Sequence, residues 1–151
     1  MNLVENETID LIYSNELFCD LDREDLEKTL KEFHRILKSD GQMIHANLSP
    51  VPENISQTIF IEADTHSIET SMPKPDWFSP YSDEVATLMH KLGFKNIIIK
   101  FFETQIHLNF EEALIALRNW TVNPDYIEKH RDDLLKYGIE YPMEYVIYCR
   151  K

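Results

Sequence analysis

Ser14, Asn15 and Glu16 follow directly on the apolar residues Ile9, Leu11, Ile12 and Tyr13. A hydroxyl, a carboxamide and a carboxylate at a strand exit are groups a ligand can meet, because open α/β sheets bind at the carboxyl ends of their strands. Ser and Asn are also ordinary turn formers. Asn47 and Ser49 close a second β-prone stretch, "QMIHANL", and could contact a substrate at the same edge of the sheet or simply mark a polar strand exit. His45, inside that stretch, reads as a hydrogen-bonded core histidine rather than a base. The remaining histidines, at 34, 66, 90, 107 and 130, have no metal-ligand spacing, and no metal is expected. Glu62, Asp64 and His66 alternate, which fits an exposed strand better than a metal site. Cys19 would be reactive only with a lowered thiol pKa, and nothing basic lies near it in sequence.

These groups need a frame. "DREDLEKTLKEFHRIL" predicts a helix with Asp22 as N-cap and acidic residues in the positive first turn. Leu26, Leu30, Phe33 and Leu37 recur at helical spacing, and Ser39-Asp40-Gly41 reads as the stop. Strand, helix, glycine turn and strand at this spacing form a βαβ unit with parallel neighbours. Residues 48–81 are a long connection holding five of the seven prolines, within which "SQTIFIEADT" could be a helix or an edge strand. Ser79 or Ser82 is expected to cap a helix whose apolar face is Val85, Leu88, Met89 and Leu92 and which ends at Gly93. "FKNIIIKFFE" is a strand, and Asn109 with Glu112 opens a capping-box helix running to about Trp120. Asn123-Pro124 opens a further helix closing at Gly138, and "MEYVIYCR" is the terminal strand.

The 151 residues suit one domain with a core of its own, 1–151. A net charge of −12 argues against a nucleic-acid partner and against an anionic membrane surface. Cys19 and Cys149 stand apart, no signal peptide or spanning segment is legible, and a cytoplasmic protein is expected.

"IDLIYSNELFCDLDREDLEKTLKEFHRILKSDGQMI" resembles the second half of a class I S-adenosylmethionine-dependent methyltransferase of the small-molecule, type-11-like group. "FHRILKSDGQMI" is similar to that family's helix-to-strand signature, with Asp40 in place of its first glycine. "FSPYSDEVATLMHKLGFKNIIIKFFET", "ALIALRNWT" and "MEYVIYCRK" resemble its next helix and strand, a helical insertion, and the antiparallel strand inserted in its sheet. The resemblance implies an α/β fold: a partial Rossmann-like sheet of about four strands, the last antiparallel, with helices packed on it. It implies that Ser14, Asn15 and Glu16 border the cofactor and that Asn47, Ser49 and Trp77 border a small-molecule acceptor. Phe78, Tyr81, Trp120 and Tyr126 fall in regions that cover the active face of such enzymes, though aromatics usually report packing.

The chain departs from the family in one respect. Its only glycines are Gly41, Gly93 and Gly138, so it contains no GxG cofactor loop, whose glycines are required for close backbone approach. A truncated methyltransferase domain is therefore expected, inactive alone and binding S-adenosylmethionine only if the missing half is supplied. In the complete fold the opening strand is central. Here its open edge at 9–13 should pair with a second copy in a homodimer, pair with a complementary chain, or be covered by Met1–Thr8 or the Pro50–Pro80 segment. The other functional reading is a non-catalytic regulatory subunit binding through that edge.

Overall fold

The computed structural model describes residues 4–66 and 80–151, with the side chains of Asp64 and Thr65 aside. They belong to two compact units, and the chain passes between them more than once. The first comprises the described residues of Met1–Ser49, Pro75–Phe102 and Glu144–Lys151; the second, those of Pro50–Lys74 and Glu103–Met143. Trp77 and Phe78 lie outside the described residues.

In the first unit, β1 (Ile9–Asn15) leads into α1 (Arg23–Ile36) and β2 (Leu37–Leu48), and β1 and β2 are parallel neighbours as the βαβ pattern predicts. Helix α1 starts where expected because the Asp22 carboxylate accepts the Asp25 N–H at 2.8 Å. It ends earlier than the Ser39-Asp40-Gly41 stop, at Ile36. Leu37 already pairs with Ile9, and residues 38–41 bulge out before the ladder resumes at Leu11 and Gln42. The bulge explains the residues found there. Asp40 takes the left-handed backbone (φ 65°), tolerable for Asp, and a Cβ on Gly41 would meet the Lys38 carbonyl at 2.9 Å.

One more helix and two more strands complete the unit: α3 (Ser82–Lys91), β3 (Lys95–Phe102) and, at the end of the chain, β6 (Glu144–Arg150). Ser79 lies outside the described residues, and Ser82 does not cap α3 but is its first residue. Its N-cap is Tyr81, with no side-chain hydrogen bond, and Gly93 follows its C-terminus as expected. The sheet order is β1-β2-β6-β3, with β6 antiparallel to both its neighbours. Met43, Tyr145, Ile147 and Cys149 on one sheet face pack with Leu26 and Leu30 of α1 and Val85 and Met89 of α3. Alternation sends Leu11, Tyr13 and Ile98 to the opposite face, where they are 52%, 67% and 53% exposed. Strand β1 is thus an edge, and among the described residues its only strand partner is β2. Residues 7 and 8 do not cover its free side, because their N–H groups donate to the carbonyls of Arg35 and Ile36.

The second unit holds α2 (Ile55–Thr65), β4 (His107–Leu108), α4 (Phe110–Asn119), α5 (Pro124–Lys129), α6 (Arg131–Tyr137) and β5 (Ile139–Glu140). The undecided "SQTIFIEADT" is helical, so the alternation of Glu62, Asp64 and His66 does not mark a strand. Burying Ile59 and Ala63, four apart, against Ala113, Leu117 and Leu134 outweighs the period-two hint. The α4 capping box forms with both reciprocal hydrogen bonds. The single helix expected between Asn123 and Gly138 is instead α5 and α6, joined at His130. Strands β4 and β5 pair antiparallel, a ladder of two residues each that sequence patterning did not reveal.

Candidate functional site at the exits of two parallel strands

The ends of β1 and β2 lie side by side in the first unit, with Ser14 opposite His45 and Asn15 opposite Ala46. That register brings Ser14 Oγ within 2.8 Å of His45 Nδ1. The His45 ring is fully buried, stacks on Phe18 at 3.5 Å between centroids, and tilts toward Tyr145 at 6.4 Å. Tyr145, also fully buried, donates its hydroxyl to the Pro80 carbonyl at 3.0 Å. Burial penalises the imidazolium and pulls His45 down to about 4, while the Asn47 carboxamide acts weakly in the opposite sense. That influence falls short of a well-formed hydrogen bond, since His45 Nε2 and Asn47 Oδ1 are both buried without a partner. His45 is a neutral core histidine at pH 7.

Glu16 fastens the two exits together. Its N–H donates to the Ala46 carbonyl at 2.9 Å, and its Oε1 accepts the Leu48 N–H at 2.7 Å. To do so it adopts φ 50°, a left-handed conformation costing a non-glycine residue about 1–2 kcal/mol. Strain of this kind is concentrated at functional turns. Burial raises the Glu16 carboxyl above its ordinary value; the Leu48 N–H and Cys19 oppose that, and the carboxylates of Glu144 and Asp20 add to it. The Cys19 thiol lies 3.2 Å from the Glu16 carbonyl and 3.6 Å from Oε2. Burial first, then Glu16 and Asp20, push it up to about 12, the opposite of an activated thiol.

Of the sequence candidates, Ser14, Asn15 and Glu16 therefore stand together at the strand exits. Asn47 and Ser49 lie just behind them, 1% and 7% exposed. Sequence reasoning missed Phe18 and Tyr145, which enclose His45. The usable signal for Phe18 was an apolar residue just past a polar turn. Among the described residues no group of three or more His, Cys, Asp or Glu side chains could hold a metal, and no helix is long and apolar enough to cross a membrane.

The profile of the methyltransferase domain family matches residues 2–45, a stretch that includes β1, α1 and most of β2. No curated protein matches the chain in sequence. Solved structures do match its fold. The YcgJ protein of Bacillus subtilis aligns with a TM-score of 0.66 at 11% identity, over 100% of this chain and 67% of that one. A SAM-dependent methyltransferase from Archaeoglobus fulgidus aligns at 0.58 and 18% identity, over 98% and 62%. Phosphoethanolamine N-methyltransferase 2 of Haemonchus contortus, in complex with S-adenosyl-L-methionine, aligns at 0.58 and 13%, over 98% and 34%. The chain shares the α/β, Rossmann-like fold of these methyltransferase structures, is similar to the methyltransferase domain family over residues 2–45, and spans about 62% of the Archaeoglobus protein and 34% of the Haemonchus one.

His45 makes the site sensitive to pH. The unfolded chain binds a proton at His45 near 6.5 and the folded chain only near 4. Its contribution is therefore fully present above pH 6.5 and is lost as pH falls toward 4, a change of about 3 kcal/mol at 1.36 kcal/mol per pKa unit. Glu16, whose folded pKa is raised, works in the opposite sense just above 4.5. Denaturant melts of the chain between pH 4 and 7.5 should show stability falling with acid, and His45→Gln should flatten that slope.

Proposed function

We propose that this chain is the acceptor-facing part of an S-adenosylmethionine-dependent small-molecule methyltransferase, with its cofactor site completed by a second polypeptide that docks along β1. The observation that carries this is an edge strand, β1, ending at a strained polar turn, with Leu11 and Tyr13 more than half exposed beside it. An edge with no second strand partner among the described residues, flanked by apolar side chains, invites strand addition. The partner supplies what three isolated glycines cannot, a GxG loop. A second copy of the chain would cover the edge without supplying that loop, so a homodimer alone is the less complete solution.

The residues present fit the cofactor in part: they offer one polar wall and no glycine loop. In this reading Ser14 and Asn15 face the cofactor and Glu16 holds the turn through the Leu48 N–H. Asn47 and Ser49 back that wall from its buried side. When bound, S-adenosylmethionine supplies the methyl group; the chain's own contribution is to position the acceptor and exclude water. The net charge of −12 favours a small acceptor over a polyanion. Two free cysteines, Cys19 and Cys149, suit a reducing compartment such as the cytoplasm.

Calorimetric titration with S-adenosylmethionine tests the reading. The chain alone should give no saturable heat, and a mixture with a polypeptide carrying a strand–GxGxG–helix segment should give it. Leu11→Lys should abolish the response of the mixture. Saturable binding by the chain alone, or none in the mixture, would reject the proposal.

A further inference from the structure

The polar groups at the β1 and β2 exits carry directional information. Ser14 Oγ has a single hydrogen-bonding partner among the described residues, His45 Nδ1 at 2.8 Å. At the other end of the ring, His45 Nε2 and Asn47 Oδ1 are both buried and both unpartnered. Oδ1 can only accept, and the Asn47 amide nitrogen is already engaged with the Leu48 carbonyl at 3.2 Å. The arrangement that leaves least unsatisfied puts the imidazole proton on Nε2, turned to Oδ1. Nδ1 then bears a lone pair, and the Ser14 hydroxyl must donate to it.

A hydroxyl whose proton is committed in this way offers a ligand only its oxygen lone pairs. The turn that follows Ser14 is acidic. Glu16, Asp20 and Glu144 lie near enough for the latter two to bear on the Glu16 carboxyl, and no Lys or Arg figures among the groups acting on it. Ser14 itself is half-buried rather than sealed.

We propose that Ser14 is a fixed hydrogen-bond acceptor at this site, held so by His45 and Asn47, and that the ligand group it receives is an amine or ammonium rather than a carboxylate or phosphate. This deepens the methyltransferase reading by naming the chemistry that the strand exit selects. The amine can belong to the acceptor or to the cofactor.

The full chain tests it by NMR. Imidazole nitrogen–proton correlations should show His45 as the neutral Nε2–H tautomer at pH 7; an Nδ1–H tautomer overturns the proposal. Ethanolamine should shift the backbone amides of residues 14–16 saturably, and sodium acetate should not. Ser14→Ala should weaken the ethanolamine response at least tenfold, and Ser14→Thr, which keeps the hydroxyl, should retain it. A saturable response to acetate, or equal responses in wild type and Ser14→Ala, overturns the proposal, as does silence toward both ethanolamine and S-adenosylmethionine. A response to S-adenosylmethionine by the chain alone, lost in Ser14→Ala, assigns the amine to the cofactor. That result supports this inference while overturning the need for a second polypeptide, so the two readings fail separately.

Discussion

Phe18→Ala should lower the stability of the chain by about 3–5 kcal/mol, the usual range for truncating a fully buried aromatic, and should raise the pKa of His45 toward its ordinary value. Phe18 is 0% exposed and packs in the core that contains Leu26, Leu30, Met43 and Tyr145. It also covers one face of the His45 ring at 3.5 Å. The low pKa of His45 comes first from burial, so opening that face to water relieves the penalty on the imidazolium. Denaturant melts measure the first effect and histidine NMR titration the second. Phe18→Leu, which keeps most of the apolar volume, should recover much of the stability while leaving the ring less well covered. An unchanged His45 titration in Phe18→Ala would show that the stack does not govern the site's electrostatics.

Gly138→Ala should be the most damaging small substitution in the second unit, costing about 3 kcal/mol or more. Gly138 sits at φ 68°, ψ −151°, a backbone region open essentially only to glycine. A Cβ built there would lie 2.1 Å from the Leu108 carbonyl oxygen. That contact is with backbone, so no side chain can rotate away. The residue joins α6 to β5, its N–H closing the helix onto the Leu134 carbonyl at 2.8 Å, and the next residue, Ile139, pairs with Leu108 and is fully buried. Relief of the clash must therefore open the β4–β5 ladder or lift Ile139 from its core. Hydrogen exchange should report lost protection at Leu108 and Ile139. Gly93→Ala is the informative comparison: its φ of 99° is also unfavourable, yet the nearest atom to a new Cβ is the end of the His34 side chain at 3.2 Å. That side chain can move, and the loss should stay near 1–2 kcal/mol.

Local devices were legible in the chain because their physics is local. Asp22 and Asn109 cap helices through hydrogen bonds to residues two or three positions on, and the Leu26/Leu30 stripe follows from helical spacing alone. Elements shorter than their own period were not legible. Two-residue strands such as β4 and β5 carry no alternation to detect, and the break between α5 and α6 falls at His130 without a proline or glycine to announce it. The reading of Glu62, Asp64 and His66 failed because alternation over a few residues is weak against the burial of Ile59 and Ala63 in a helical register.

The sequence by itself determined the βαβ opening, the strand ending at Ser14, Asn15 and Glu16, and the absence of a GxG loop, since each is a property of neighbouring residues or of composition. Only the tertiary structure decided what those residues touch. Ser14 and His45 meet, 31 positions apart, because two strands pair in one register rather than another, and a shift of one residue would turn them to opposite faces. Glu16 reaches the Leu48 N–H and Cys19 is deactivated through the same pairing and the burial it produces. Long-range register and the exclusion of water belong to the assembled sheet, so no run of neighbouring residues could announce these contacts.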